Sequence, residues 1–287
     1  MNYVLVLAAT VLLAFEFAFS RKYQTMEGTA AAAGLRFNLL TGLFTALIFF
    51  CLSGFKLEFS VFSIVVVALA ALCGTTYNVI SFGILKAGGM ALYSMFLMMG
   101  GMLLPYFFGV LFLEESISAW RIVGVLIIGA AVVLSCKTKY RFPGRVYLLC
   151  IAVFVLGGLV SIFSKIHQIN VSNNPISTTA FVMYGGVGRF VFSATALLAS
   201  GKQAQKPVSS PWKILGVAAG AAAISGLSYL LQLTGARELP ATVLYPMVTG
   251  GSIIFSALSG LVFFKEKISG YQLLSIVLCF VGTLLFL

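Results

Sequence analysis

Charged side chains are scarce in this chain of 287 residues: aspartate, glutamate, lysine and arginine make up 9% of it, and there is one histidine. It contains no CxxC pair, no HExxH, no GxSxG and no GxxxxGKS or GxxxxGKT loop. These absences argue against a zinc site, a hydrolase built on a nucleophile elbow and a nucleotide-driven pump. The five cysteines fall mostly inside apolar runs, so we expect small buried side chains rather than disulfides or metal ligands. We therefore expect no enzyme activity and no cofactor.

Apolar residues, by contrast, make up 61% of the chain. A soluble domain could not cover so much apolar surface with polar groups. Ten apolar runs have about the 20 residues with which an α-helix crosses the hydrocarbon core of a bilayer. The predicted spans are 2–20, 29–52, 60–84, 89–112, 118–136, 145–165, 175–200, 212–235, 240–263 and 269–287. The expected fold is an all-α membrane protein with ten transmembrane helices, in the plasma (inner) membrane. No basic segment precedes the first span, so we expect a retained helix rather than a cleaved signal peptide.

The net charge of +11 does not indicate a nucleic-acid partner, because the basic residues stand singly or in short connections between spans. Of the 18 lysines and arginines, two lie well inside spans, and the others lie between spans or near span ends, twelve on one side of the membrane and four on the other. The four are Lys56, Arg121, Lys165 and Arg237. Basic loops favour the cytoplasm, so this count predicts that both termini lie outside.

The two halves of the chain repeat each other. Leu92–Met95 (LYSM) returns as Leu244–Met247 (LYPM), and Gly74–Tyr77 (GTTY) returns as Gly226–Tyr229 (GLSY), both at an offset of 152 residues. Five spans per half force the second copy to enter the bilayer from the opposite side, as in inverted-repeat transporters. We expect one five-helix repeat over 1–138, a linker over 139–144 and an inverted repeat over 145–287.

Two further motifs are duplicated between the halves. Leu111–Ser118 (LFLEESIS) and Val262–Ser269 (VFFKEKIS) are similar to the LFLGExLS ends of helices 4 and 9 in the EamA-type branch of the drug/metabolite transporter superfamily. Gly34–Phe37 (GLRF) and Val187–Phe190 (VGRF) are similar to its arginine–phenylalanine pairs in helices 2 and 7. The resemblance covers the whole chain and implies a ten-helix bundle that moves small solutes, with helices 1, 3, 4, 6, 8 and 9 around the path and helices 5 and 10 outside. It also implies cytoplasmic termini, the opposite of the charge count.

Three ionisable residues lie well inside the predicted spans: Glu16, Arg36 and Arg189. A charge at mid-membrane costs roughly 2.5–3.5 kcal/mol, so each needs a partner or a wet cavity. Glu16 and Arg36 have similar predicted depths, which suggests an ion pair; Glu16 is also a candidate for proton coupling or cation binding. Arg189 has no evident acidic partner. We expect it to bond backbone carbonyls or hydroxyls as a scaffold, the alternative being a guanidinium that binds a substrate carboxylate or phosphate.

Polar and aromatic side chains in the spans assigned to the path define the candidate binding site. They are Glu16, Thr76, Tyr77, Asn78, Tyr93, Met98, Ser164, Arg189, Ser228, Tyr229, Gln232, Tyr245 and Thr249. Tyr77 with Tyr229, and Tyr93 with Tyr245, are repeat-related pairs that we expect near opposite mouths of a cavity. The fourth and ninth spans each contain a proline and a pair of glycines. Pro105 follows Gly100-Gly101, and Pro246 precedes Gly250-Gly251. We expect these residues to interrupt the two helices.

These observations predict a secondary transporter that moves a small organic metabolite, such as an amino acid or an amine, by alternating access. A lipid-linked sugar flippase and a passive solute channel share the architecture and remain alternatives. The expected partners are the solute and the lipid bilayer, with the protein acting as a monomer or a homodimer.

Overall fold

The protein is an all-α membrane protein, seen in a computed structural model that describes residues 2–28, 31–86, 90–135, 143–200, 210–264 and 270–286. Ten helices and no strand occur in these ranges. The helices are α1 Asn2–Glu27, α2 Ala31–Leu52, α3 Val61–Lys86, α4 Met90–Phe112, α5 Ala119–Ser135, α6 Gly144–Ile169, α7 Thr178–Ser200, α8 Pro211–Glu238, α9 Ala241–Phe264 and α10 Gly270–Leu284. Each one corresponds to a predicted span, so the expected fold class is confirmed.

Seven of the helices in the described ranges, α1 to α4 and α6 to α8, are long and apolar enough to cross a membrane. Shorter apolar segments lie in α5, α9 and α10. Large apolar side chains cover the outside of the bundle; for example, Leu126 on α5 is 67% exposed and Phe280 on α10 is 56% exposed. Such an exterior is unfavourable in water and favourable in lipid, so the multi-pass arrangement follows from the side chains themselves.

The most extensive packing joins helices from the two halves of the chain. α2 packs on α7, α1 on α8, α3 and α4 on α6, and α5 on α10. Helix α1 also packs on α9, and α4 on α9. Helices α5 and α10 form a peripheral pair that contacts the rest of the bundle through α4 and α9. This arrangement leaves the facing sides of the other helices to form the interior.

Glycines permit the close contact between α2 and α7. A Cβ atom added to Gly42 would lie 2.7 Å from the backbone nitrogen of Phe190, and one added to Gly186 would lie 2.7 Å from that of Ala46. Without hydrophobic drive between helices in lipid, small residues that let backbones approach each other are a main source of association. These two glycines therefore fix how closely the two central helices pack.

The expected interruption of the fourth and ninth spans is wrong. Helix α4 is continuous through Pro105, and α9 is continuous through Pro246. The neighbouring glycines serve packing instead: a Cβ on Gly100 would clash with the backbone of Phe154 on α6, and one on Gly251 would lie 2.8 Å from the Thr10 hydroxyl oxygen on α1. Proline removes one backbone hydrogen bond, but in lipid the segment stays helical because neighbouring groups satisfy the backbone carbonyl that proline leaves free.

The apolar interior is divided into separate clusters rather than forming one core. One surrounds Met102 and Met247 between α4, α5, α9 and α10; another surrounds Phe181 between α2, α3 and α7. Two smaller clusters surround Cys150 on α6 and Tyr23 on α1. The polar residues of the interior lie between these clusters, and this division positions the candidate site.

Some sequence predictions fall outside the described residues. Most of the linker expected at 139–144 lies there, as do several of the basic residues on which the topology count depended, among them Lys137, Lys202 and Lys265. The division into 1–138 and 145–287, and the orientation of the termini, therefore stay predictions.

Adjacent glycines on α7 test the packing of α2 against α7. We expect Gly186→Ala to lower the Tm of the purified protein by several degrees, because its Cβ would press on the backbone of Ala46 and on the carbonyl oxygen of Gly42, 2.8 Å away. Gly185→Ala is the matched control, since nothing lies within 4 Å of its Cβ and alanine favours a helix over glycine. Equal Tm values for the two variants would contradict this packing.

Candidate functional site

Arg36 does not pair with Glu16. Its guanidinium Nη1 lies 3.2 Å from a carboxylate oxygen of Glu27, and the expected Glu16–Arg36 pair is wrong. The reason is the length of α1, which continues seven residues beyond the predicted end at residue 20 and carries Glu27 to the level of Arg36. Glu16 lies eleven residues earlier, ~16 Å away along the helix axis at 1.5 Å per residue.

Glu16 instead interacts electrostatically with Arg189 on α7. Both residues lie far from the helix ends: Glu16 is ~21 Å along α1 from Asn2, and Arg189 is ~16 Å along α7 from Thr178. The statement that Arg189 lacks an acidic partner is therefore wrong. Opposite charges in a low-dielectric interior attract each other and offset part of each other's desolvation cost.

Tyrosines surround the two charges. The hydroxyl groups of Tyr77 on α3 and Tyr229 on α8 both interact electrostatically with Arg189 and with each other. Tyr93 on α4 interacts with Tyr77, and Tyr245 on α9 interacts with Tyr229. Tyr77 and Tyr229 thus meet at the centre, and the expectation that the tyrosine pairs lie near opposite mouths is not met for them.

Three of these tyrosines are held by different apolar clusters. Tyr77 packs against the cluster around Cys150, Tyr229 against the one around Phe181, and Tyr245 belongs to the one between α4 and α9. Because the rings are fixed in separate clusters, their hydroxyls approach the same central region from three sides. Tyrosine suits this position, since it combines a large apolar face with a polar tip.

The central residues lie deep in the bundle and still have accessible surface. Glu16, Tyr77 and Tyr229 are enclosed by protein, yet none of them is fully buried, and Arg189 is likewise only partly buried. Their accessible surface makes these charged and phenolic side chains candidates for contact with a small polar solute.

Several predicted site residues are bound to neighbouring helices. The Ser164 hydroxyl and the Tyr229 hydroxyl are hydrogen-bonded at 2.6 Å, and Tyr245 donates to the Ser161 carbonyl at 2.6 Å. Ser228 is buried and donates to the Ala9 carbonyl at 2.7 Å, so it joins α8 to α1.

The remaining predicted residues differ in burial. Gln232 donates to the Ser228 hydroxyl at 3.2 Å and is partly buried. Met98 packs at the edge of the cluster around Met102 and Met247, and Thr249 is buried. Thr76 and Asn78 are partly buried on α3, one residue to either side of Tyr77.

Sequence reasoning missed three polar side chains near one end of the bundle. Lys165 is 4% exposed and His167 is 1% exposed, although the charge count placed Lys165 among the basic residues of the connections between spans. Glu115 binds the start of α9. The signal for Glu115 was its place in the duplicated motif at the end of the fourth span; nothing in the sequence around Lys165 or His167 indicated a buried partner.

These features define a multi-pass membrane protein with a polar, accessible interior. The profile of the EamA-like transporter family matches residues 144–287, half of the chain, and the protein belongs to that family, a membrane transporter family of the drug/metabolite transporter superfamily. A solved crystal structure, titled only as that of a protein, is similar over 99% of this chain and 95% of its own, with a TM-score of 0.74 and 16% identity. That likeness shows the fold alone. Among curated proteins no match was found.

The electrostatic interaction between Glu16 and Arg189 predicts that substitutions of these two residues have non-additive effects on stability. We expect Arg189→Gln to lower the free energy of unfolding by about 3 kcal/mol, since it leaves the Glu16 carboxylate without its counter-charge. The double variant Glu16→Gln, Arg189→Gln should be more stable than Arg189→Gln alone, because neither charge then remains. Denaturant titration of the purified variants in micelles measures this coupling.

Arg36→Gln is the matched control, because the Arg36 side chain is a quarter exposed and pairs near a helix end. Its cost should be smaller than that of Arg189→Gln. Strictly additive costs for Glu16 and Arg189 would contradict the pairing.

Proposed function

We propose that this protein is a secondary transporter of small zwitterionic metabolites, such as amino acids, in the plasma (inner) membrane, and that it works by alternating access. Membership of the EamA-like transporter family supports the transport of a small solute. The observation that carries the substrate class is the electrostatic interaction of Glu16 with Arg189, two opposite charges far from the ends of their helices, together with the accessible surface of both side chains.

A zwitterion fits this pair better than a solute with a single charge. Its ammonium group replaces Arg189 as the partner of Glu16, and its carboxylate replaces Glu16 as the partner of Arg189. Every charge then remains paired. A simple amine would satisfy Glu16 and leave the Arg189 guanidinium alone in a low-dielectric interior, and a simple carboxylate would do the reverse, at a cost of several kcal/mol.

The surrounding side chains suit the rest of such a solute. The rings of Tyr77, Tyr229 and Tyr245 offer apolar faces, and Met98 on α4 offers an adaptable wall. The Ser164 and Tyr229 hydroxyls, already paired with each other, provide a polar group for orientation. A compact amino acid with an apolar or aromatic side chain therefore suits this environment.

Alternating access is proposed to arise from two inverted five-helix repeats, 1–138 and 145–287. The packing pairs support this division, because an offset of five helices converts α1 on α8 into α6 on α3, and α1 on α9 into α6 on α4. The pairs α2 with α7, α4 with α9 and α5 with α10 are each converted into themselves. A two-fold axis in the membrane plane that relates the two repeats produces this pattern of packing pairs.

Glu16 is also the proposed coupling residue. Its carboxylate changes partners when the solute's ammonium group arrives, and it is the ionisable group of the path that a proton neutralises most readily. Uptake of a proton by Glu16 in one step of the cycle is the proposed link between transport and a pH gradient.

Counterflow in proteoliposomes tests the proposal. We expect vesicles loaded with an unlabelled amino acid mixture to accumulate labelled amino acid, and Glu16→Gln to abolish both this exchange and any stimulation by a pH gradient. The reason is that the neutral amide has no charge for the ammonium group and takes up no proton at physiological pH.

Glu27→Gln is the matched control, because Glu27 pairs with Arg36 away from the centre and its variant should still exchange solute. Exchange that persists in Glu16→Gln would contradict the proposed site. Accumulation of simple amines without amino acids would assign the site to cations, and accumulation of neither would reject this substrate class.

A further inference from the structure

A buried lysine binds the end of α8. The Lys165 ammonium group on α6 donates to the Ala236 carbonyl at 2.8 Å and to the Leu239 carbonyl at 2.7 Å. These carbonyls belong to the last turn of α8 and the residue after it, where backbone acceptors have no partner within the helix. The positive charge also faces the negative end of the helix dipole. Lys165 is therefore a side-chain cap of α8 supplied by another helix.

A carboxylate binds the start of the next helix. The Glu115 side chain accepts hydrogen bonds from the backbone nitrogens of Ala241 at 2.7 Å and Thr242 at 2.8 Å, and from the Thr242 hydroxyl at 2.8 Å. Ala241 and Thr242 open α9, where backbone donors lack partners and the helix dipole favours a negative charge. Pro240, just before them, has no N–H to contribute. Glu115 is thus the cap of α9, also supplied from elsewhere in the chain.

The local backbone brings Glu115 to this position. After α4 the chain reverses at Glu114, which has a positive φ of 53°, and the Glu115 nitrogen donates to the Gly109 carbonyl at 3.1 Å. Glycine is required at 109 because a Cβ there would lie 2.7 Å from a carboxylate oxygen of Glu115 and 3.1 Å from Ala241. The reversal and the missing side chain together aim the carboxylate at α9.

Both caps act on one turn, Leu239-Pro240, between α8 and α9. Lys165 holds the incoming side and Glu115 the outgoing side, and the two charges interact electrostatically. Glu115 comes from the first half of the chain, while α6, α8 and α9 belong to the second. The bonds of Glu115 therefore cross between the halves.

Other bonds between the halves lie at the same end of the bundle, which we name the capped end. The His167 ring is hydrogen-bonded to the Ser63 hydroxyl at 3.0 Å, and the same hydroxyl accepts a bond from the Ile176 nitrogen at 3.1 Å. Tyr184 donates to the Glu58 carbonyl at 2.8 Å. Polar bonds from several helices thus close the capped end in this conformation.

We propose that Glu115 and Lys165 together hold the capped end closed by capping the two sides of the α8–α9 turn, and that transport requires the Glu115 cap on α9 to be released. This inference rests on the proposed alternating access. It assigns a gating role to a motif glutamate and to a buried lysine that take no part in the solute site.

The caps act on the solute site through the helices that they hold. Tyr229 lies seven residues before Ala236, ~10 Å along α8, and Tyr245 lies four residues after Ala241, ~6 Å along α9. Because both tyrosines sit on the two helices joined by the capped turn, release of the turn moves two walls of the solute site together. A helix is stiff over such distances, so this motion is transmitted rather than absorbed.

Hydrogen exchange of the full-length protein in lipid nanodiscs tests the proposal directly. The amides of residues 239–244 report on the turn, and we expect them to exchange slowly in the unchanged protein. Glu115→Gln places an amide donor against the backbone donors of α9, and Lys165→Met removes the donor of α8. Each should accelerate exchange of this segment by about tenfold or more, since a hydrogen bond to a charged group is lost.

Conservative and neighbouring variants are the controls. Lys165→Arg keeps a cationic donor and should restore slow exchange. Glu114→Gln and Lys56→Met change exposed charges at the same end of the bundle and should leave residues 239–244 unaffected. Should Lys165→Met fail to fold, Thr242→Val, which removes one of the three bonds to Glu115, should give a smaller acceleration of the same segment.

The outcomes separate this inference from the proposed function. Unchanged exchange in both Glu115→Gln and Thr242→Val, or equal acceleration in the exposed controls, would overturn the capping role. Accelerated exchange with no thermal stabilisation of any variant by the standard amino acids would support the caps and reject the substrate class. Accelerated exchange together with slower counterflow at unchanged amino acid affinity would support both, since gating changes and the site does not.

Discussion

A charge inside the hydrocarbon region must be paired within the protein or reach water, and the interior of this molecule is organised around that requirement. Glu16 and Arg189 interact electrostatically far from the ends of their helices, and the hydroxyls of Tyr77 and Tyr229 interact with Arg189 as well. Arg36 meets the same requirement differently, through Glu27 near the end of α1. The two arginines occupy corresponding places in the repeats, but only one of them has a partner at the centre.

The same requirement governs the ends of the helices. A helix end leaves backbone groups without partners, and in a membrane bundle water does not always reach them. At the α8–α9 turn the missing partners are the buried side chains of Lys165 and Glu115. Glu115, the motif glutamate at the end of the fourth span, thereby has a physical role: it lies in the first half of the chain and caps a helix of the second half. In the proposed gating, stability and conformational change are coupled at this turn.

How far sequence reasoning reached depended on the range of the interactions involved. The ten spans were predicted correctly because hydropathy is a local property and the bilayer sets a single length. The Glu16–Arg36 pair was wrong because a polar continuation of α1 through Glu27 does not look like membrane-spanning sequence. The burial of Lys165 and His167 was not predicted, because it depends on α3, α7 and α8 packing over them, and no pattern in α6 records that.

The sequence by itself determined the helices of the described ranges and their membrane environment, since both depend on composition and spacing along one segment. Only the tertiary structure decided which opposite charges interact and which polar side chains are buried, because Glu16 and Arg189 are 173 residues apart and their interaction depends on how α1 and α7 are placed in the bundle. It also decided that the glycines of α4 and α9 serve close packing rather than breaks. Contacts between distant segments depend on how all the helices pack together. No single stretch of the sequence specifies that packing.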